Sequence, residues 1–293
     1  MNIQYLNGGL ANQVFQYIFV RYAELTYPDC GPWIFDDSFF FTTHVHNGYE
    51  LDKVFNIKAN LLSNCFEPDV WDEIIRLNKE GKGIPQILKD NGTDLIMYAE
   101  TNNYLPFDGN ILHMFEANSF HPQIPALDYP NIYYHGYWIN KKWLNAHKDT
   151  IYKELAFPPL PTKASKEYAN KILNTPSVAV HVRRGDYVTL GWNMPMDYYS
   201  QAIYKFYQKY QNFVLYVFSD DIEWCRQNAT NLGFSYASDV VYVEGNTNGN
   251  NYIDLQLMSM CEGIVMSNSA FCYLAALLDK RLKVHITPTN REV

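Results

Sequence analysis

The chain reads as an α/β protein in two parts, each built on parallel strands, and three observations predict this. Strand and helix patterns alternate without interruption through the C-terminal half, as expected for a parallel sheet covered on both faces. The N-terminus shows the same unit once, a strand, a glycine turn and a helix in "IQYLNGGLANQVFQYIF". Between the halves lies "FPPLPT" (157–162), whose three prolines cannot continue a helix. A boundary there gives domains of 1–156 and 157–293, and 293 residues with 47% hydrophobic content suffice for two cores.

The elements follow in order. Ile3–Leu6 is the first strand, and after "NGGLANQ" the residues Val14, Ile18 and Tyr22 recur at helical spacing with Phe15 and Phe19 beside them. The middle is less regular. Pro68–Glu80 predicts a helix, Leu95–Ala99 a strand, Ile132–Trp138 a strand, and "NKKWLNAHKDTIYKELAF" one helical stretch. Beyond the linker, helices are expected at Lys163–Asn174, Asp197–Tyr210, from Asp221, in "NYIDLQLMSMCE" and in "NSAFCYLAALLD". Strands are expected at Val178–Val182, Phe213–Phe218, Val240–Val243, Gly263–Met266 and Leu282–Ile286, with "GNTNGNN" (245–251) as a mobile loop.

Composition excludes several classes. The formal net charge is −8 and no polybasic tail or basic aromatic stripe occurs, so nucleic acid is not an expected partner. The five cysteines lack the paired spacing of a zinc site and are expected to be reduced core residues of a cytoplasmic protein. No apolar run approaches ~18 residues. The start has no charged segment followed by an apolar one. A soluble cytoplasmic protein is the expectation. The 24 tyrosines suit sugar-facing surfaces and ordinary cores alike.

Ligands of parallel sheets bind at the carboxyl ends of strands, and polar clusters stand at four such ends. "HVRRGD" puts Arg183 and Arg184 beside each other after a buried strand, where an anion or a carboxylate must meet them. Arg183 can clamp phosphate oxygens in bidentate fashion. Asp186 can orient an arginine or act as a base, or simply close an internal bridge, and His181 lies within the strand. "FSDD" offers Ser219, Asp220 and Asp221 either as a helix cap by Ser219 or Asp220, or as a carboxylate pair for a divalent ion. "VMSNSAF" places Ser267, Asn268, Ser269, Ala270 and Phe271 at a helix start, which is both a plain cap and a phosphate site. "NGGLANQ" puts Gly8 and Gly9 in a turn a ligand can approach, with Asn12 and Gln13 in the first helical turn; it matches neither the Walker loop nor GxGxxG. Asp254 falls near the apolar face of its helix, as a solvated carboxylate or a buried one needing a donor.

In this order and spacing, "GGLANQVFQY", "YELDKVFNI", "YYHGYWINKKW", "HVRRGDYV", "FSDDIEWC" and "DLQLMSMCEGIVMSNSAFCYLAALL" resemble the bacterial α-1,2-fucosyltransferases, glycosyltransferase family 11, over nearly the whole chain. The resemblance implies a GT-B-like fold of two Rossmann-like domains facing a cleft, the first on the acceptor side and the second binding GDP-fucose. It implies an inverting α-1,2-fucosyltransferase that moves L-fucose from GDP-β-L-fucose to the 2-hydroxyl of a terminal galactose. No metal or other cofactor is implied.

By the same resemblance Arg183 contacts the β-phosphate, with Asn12 and Asp186 beside it in the catalytic set. His181 and Asp254 lie near guanine or ribose, and Ser269, Ala270 and Phe271 lie near the phosphates. Arg184, Ser219, Asp220, Ser267 and Asn268 complete the donor set, and Gly8, Gly9 and Gln13 form the turn. An acceptor on a lipid carrier would bring the protein close to a membrane surface. The sequence departs from the family pattern at Ala11, which replaces a usual glycine, in "SNSAFCYL" and in "YWIN". A general base is not marked: besides Asp186, His44 and His46 stand in a loop of the first domain. The alternatives are a fucosyltransferase of another linkage, a nucleotide-sugar-binding protein without turnover, and a metal-dependent transferase.

Overall fold

A computed structural model describes residues 1–114, 116–247, 249–281 and 283–288. They divide into two compact units, Met1–Phe157 and Pro158–Val293. In the first unit the strands are β1 (Asn2–Tyr5), β2 (Trp33–Asp36), β3 (Ile96–Ala99), β4 (Ile111–His113) and β5 (Ile132–His135), in the order β2-β1-β5-β3-β4. The second has β6 (Ser177–Val182), β7 (Val214–Ser219), β8 (Asp239–Tyr242), β9 (Gly263–Val265) and β10 (Val284–Ile286), in the order β10-β9-β6-β7-β8. Every pairing is parallel. In the second sheet the central strand β6 is buried along its whole length, which is why "SVAVHV" reads as a nearly continuous apolar run, and in the first β1, next to the central β5, is buried as well.

Each unit has its own core. In the second, Val178, Val180, Val182, Leu215 and Val217 pack with Tyr199, Ile203 and Phe206 of the helix Met196–Tyr210. In the first, the helix Leu10–Thr26 lays Phe19 flat on Trp138, ring centroids 4.3 Å apart, and edge-on to Trp33 and Trp143. Many of the tyrosines are therefore core residues: Tyr133, Tyr134, Tyr199 and Tyr216 are fully buried.

The structure departs from the expected elements in several places. β2 and β4 had no clear alternation in sequence; Trp33–Asp36 is an edge strand whose burial comes from the helix across it. The stretch 140–157 is two helices, Lys141–Asn145 and Lys148–Glu154, because His147 leaves helical geometry and bonds Thr26 Oγ1 at 2.8 Å. β5 stops at His135, and Trp138 takes a positive φ. In the last expected strand, Val284–Ile286 is observed and Leu282 lies outside the described residues, as does Asn248 of the loop expected at 245–251.

Candidate active site

The register pairs Val182 with Ser219, so the carboxyl ends of β6 and β7 finish level, with β9 alongside. Ser219 locks that edge: its hydroxyl donates to the Val182 carbonyl at 2.7 Å and accepts from the Asp221 amide at 3.0 Å. Of the "FSDD" residues, the helix cap is Asp221, which accepts from the Trp224 amide at 3.2 Å, rather than Ser219 or Asp220. A shorter helix start than expected moved the cap one residue on.

The two acidic residues pair with the two arginines. Arg183 Nη1 meets Asp220 Oδ2 at 2.9 Å and its Nη2 meets Asp186 Oδ1 at 2.7 Å. Asp220 also accepts from the Arg184 amide at 2.8 Å. Arg184 turns the other way, bonding Asp221 at 3.1 Å and lying 3.6 Å above the Trp224 ring. Gly185 permits this packing, because a Cβ there would stand 2.6 Å from Asp220 Oδ2. Arg184 is thus a strut for the loop, while Arg183 stands where a ligand can reach it, its side chain 28% exposed.

Across the edge, Ser267 is buried and its hydroxyl lies 2.9 Å from His181 Nδ1, tying β6 to the end of β9. Burial and the neighbouring Arg183 charge lower the His181 pKa to about 3, so the ring is neutral. Ser269 caps the helix Ala270–Leu278, accepting from the Phe271 amide at 3.2 Å, and the Phe271 ring sits 5.7 Å from His181. Asn268 donates to the Trp192 carbonyl at 2.9 Å. Tyr187 joins the two sides: its ring lies 5.3 Å from the Arg183 guanidinium and its hydroxyl meets Ser269. The structure therefore gathers His181, Arg183, Arg184, Asp186, Ser219, Asp220 and Ser267–Phe271 at one edge.

Asp254 belongs to the helix Tyr252–Met258, which packs on the helix Ala270–Leu278. It is half-buried rather than solvated; burial pushes its carboxyl up to about 7, and Asn246 donates to it at 2.7 Å. That bond pins part of the loop expected to be mobile.

The glycine turn belongs to the first unit. Gly8 has φ of +79° and a Cβ there would press Asn12 Nδ2 at 2.5 Å, so the turn requires glycine. Gly9 precedes the helix without a side-chain cap, beside His46. Gln13 is fully buried and spends its amide on the Gly8 and Gly48 carbonyls and the Glu50 amide, each at 2.9 Å. Gln13 is a brace for the turn, and the Asn12 side chain has no hydrogen-bond partner among the described residues. A cavity of about 410 Å³ in this unit, walled by Tyr17, Arg21, Trp33, Phe55, Lys58 and Glu154, includes none of the expected site residues.

Sequence reasoning missed Tyr187, Trp192, Trp224 and Asn246. Tyr187 and Trp224 stand inside the quoted motifs, so only their partners were hidden; Trp192 and Asn246 carried no signal.

Solved structures with this fold include POFUT1 in complex with GDP-fucose, with a TM-score of 0.51 at 12% identity over 98% of this chain and 97% of that one. Another is an Arabidopsis thaliana FUT1 variant in complex with GDP, with a TM-score of 0.52 at 15% identity over 99% and 71%. Two parallel-sheet α/β units with these neighbours define a GT-B-like fold. Residues 118–292 match the model of glycosyl transferase family 11, and the chain belongs to that family of glycosyltransferases. An alpha-1,2-colitosyltransferase of Escherichia coli is 28% identical over 97% of this chain and 90% of its own length. The mouse galactoside alpha-(1,2)-fucosyltransferase 2 is 34% identical over 34% of this chain and 30% of its own. Among the described residues no helix is long and apolar enough to cross a membrane.

Proposed function

We propose that this glycosyltransferase moves L-fucose from GDP-β-L-fucose to the 2-hydroxyl of a terminal galactose, with inversion and without a metal ion. The observation that carries this is Arg183, partly exposed at the carboxyl edge of β6 and bridged through Tyr187 to the start of the helix Ala270–Leu278. As the bond between fucose C1 and the β-phosphate oxygen breaks, negative charge collects on GDP. A guanidinium and the positive end of the helix dipole, already in place, stabilise that charge. The galactose 2-hydroxyl attacks from the opposite face of C1 and gives up its proton.

Asp220 and Asp221 engage Arg183 and Arg184, which favours fixed cations over a divalent ion as the charge partner. Asp186 is engaged by Arg183 at 2.7 Å. Its exposed position suits it to hold Arg183 until phosphate replaces it. His181 stays neutral and fixes the strand end; Asp254, with a carboxyl poised near neutrality, suits a ribose or base contact.

A second reading concerns the sugar alone. The E. coli relative that aligns along most of the chain is named for colitose, which is L-fucose without its 3-hydroxyl. The test runs GDP-fucose and GDP-colitose in parallel on a galactoside panel with EDTA present, following GDP release and product linkage by NMR for wild type and Arg183→Ala. Fucose linked α1-2 to galactose by wild type, and nearly none by the variant, is the expected result. Transfer from GDP-colitose only would select the second reading, and GDP binding without any transfer would remove both.

A further inference from the structure

We infer that Trp192 is the platform on which the acceptor sugar packs, an inference that rests on the transferase reading above. Trp192 is 57% exposed, the most open of the large hydrophobic side chains among the described residues. With Val188 and Leu190 of the same segment also exposed, it contributes to an apolar surface of the kind that marks ligand grooves. It is held in place rather than dangling: Asn268 donates to its carbonyl at 2.9 Å and the Tyr187 ring meets it edge-on at 5.7 Å. Those two contacts chain it to both halves of the donor edge, since Asn268 precedes the helix start and Tyr187 lies beside Arg183. The ring therefore continues the phosphate site outward.

Charge identifies the occupant. The donor is an anion and its partner is Arg183. From Tyr187 to Met196 the sequence "YVTLGWNMPM" has no charged side chain, and Val188 and Leu190 are exposed with Trp192. An uncharged, aromatic and aliphatic surface suits a neutral pyranose, whose C–H face packs on an aromatic ring while its hydroxyls stay in water. The occupant is thus the galactose-type ring of the acceptor rather than the nucleotide.

The experiment compares wild type with Trp192→Ala and Trp192→Phe, using GDP-fucose and lactose as substrates and calorimetry with GDP. GDP affinity should be unchanged in both variants, which also shows that they fold. The KM for lactose should rise about tenfold in Trp192→Ala, the size expected for truncating an aromatic contact. kcat should change little, and Trp192→Phe should recover most of the loss. An unchanged lactose KM, or a loss that falls on GDP or GDP-fucose instead, would overturn the inference. Failure of wild type to bind GDP is a different result and would sink the transferase reading together with it.

Discussion

At the scale of single residues, the donor edge is a set of paired charges in which each partner has a different exposure. Asp220 holds both the Arg183 side chain and the Arg184 amide, and it is 27% exposed against 54% for Asp186. Removing Asp220 leaves the Arg184 amide and the Nη1 of Arg183 without their acceptor, whereas Asp186 can be replaced by solvent. Asp220→Ala should therefore weaken GDP binding more than Asp186→Ala and lower the melting temperature, both measurable by calorimetry; equal effects would contradict this ranking. His181 makes a pH prediction. The unfolded imidazole takes its proton near 6.5 and the folded one only near 3, so the unfolded state binds more protons between those values. Stability should fall as pH drops from 6.5 toward 3. His181→Asn, which keeps a side-chain amide near the Ser267 hydroxyl, should flatten part of that slope in urea titrations.

At the scale of elements, each unit repeats one device, in which a strand ends, a turn exposes backbone and a helix begins. The two copies are stabilised differently. The Ser267–Phe271 turn is held by side-chain hydroxyls, Ser267 to His181 and Ser269 to its own helix. The Gly8–Gly9 turn has no cap and depends on Gln13, which reaches across to Gly48 and Glu50. Gln13→Ala should leave two carbonyls and an amide unmet in a buried site and cost about 1–3 kcal/mol of stability by urea unfolding. A neutral result would show that water replaces the side chain. The helices at Leu10, Ile222 and Ala270 were legible because apolar spacing and cap residues are local signals. The short elements Trp33–Asp36 and Ile111–His113 were not, because an edge strand of three or four residues owes its conformation to pairing partners far along the chain.

At the scale of the whole molecule, the proposed donor edge lies wholly within the second unit, and each unit has its own sheet and core. If the nucleotide binds the second unit, GDP should slow amide exchange in 178–192, 219–222, 252–256 and 267–272 while leaving the core of 1–157 unchanged. Protection confined to the first unit would reverse the assignment of domains. The sequence alone determined the α/β class, the parallel sheets and the motif order that marks the family. All three depend on periodicity and on residues close together in the chain. Only the tertiary structure decided which partner each charged or polar residue takes. It separated the strut Arg184 from the reachable Arg183, made Gln13 a brace, enclosed Asp254 and left Trp192 open. Those outcomes depend on burial and on contacts between segments 30 to 90 residues apart, such as Arg184 with Asp221 and His181 with Ser267. Local sequence carries no record of such distances.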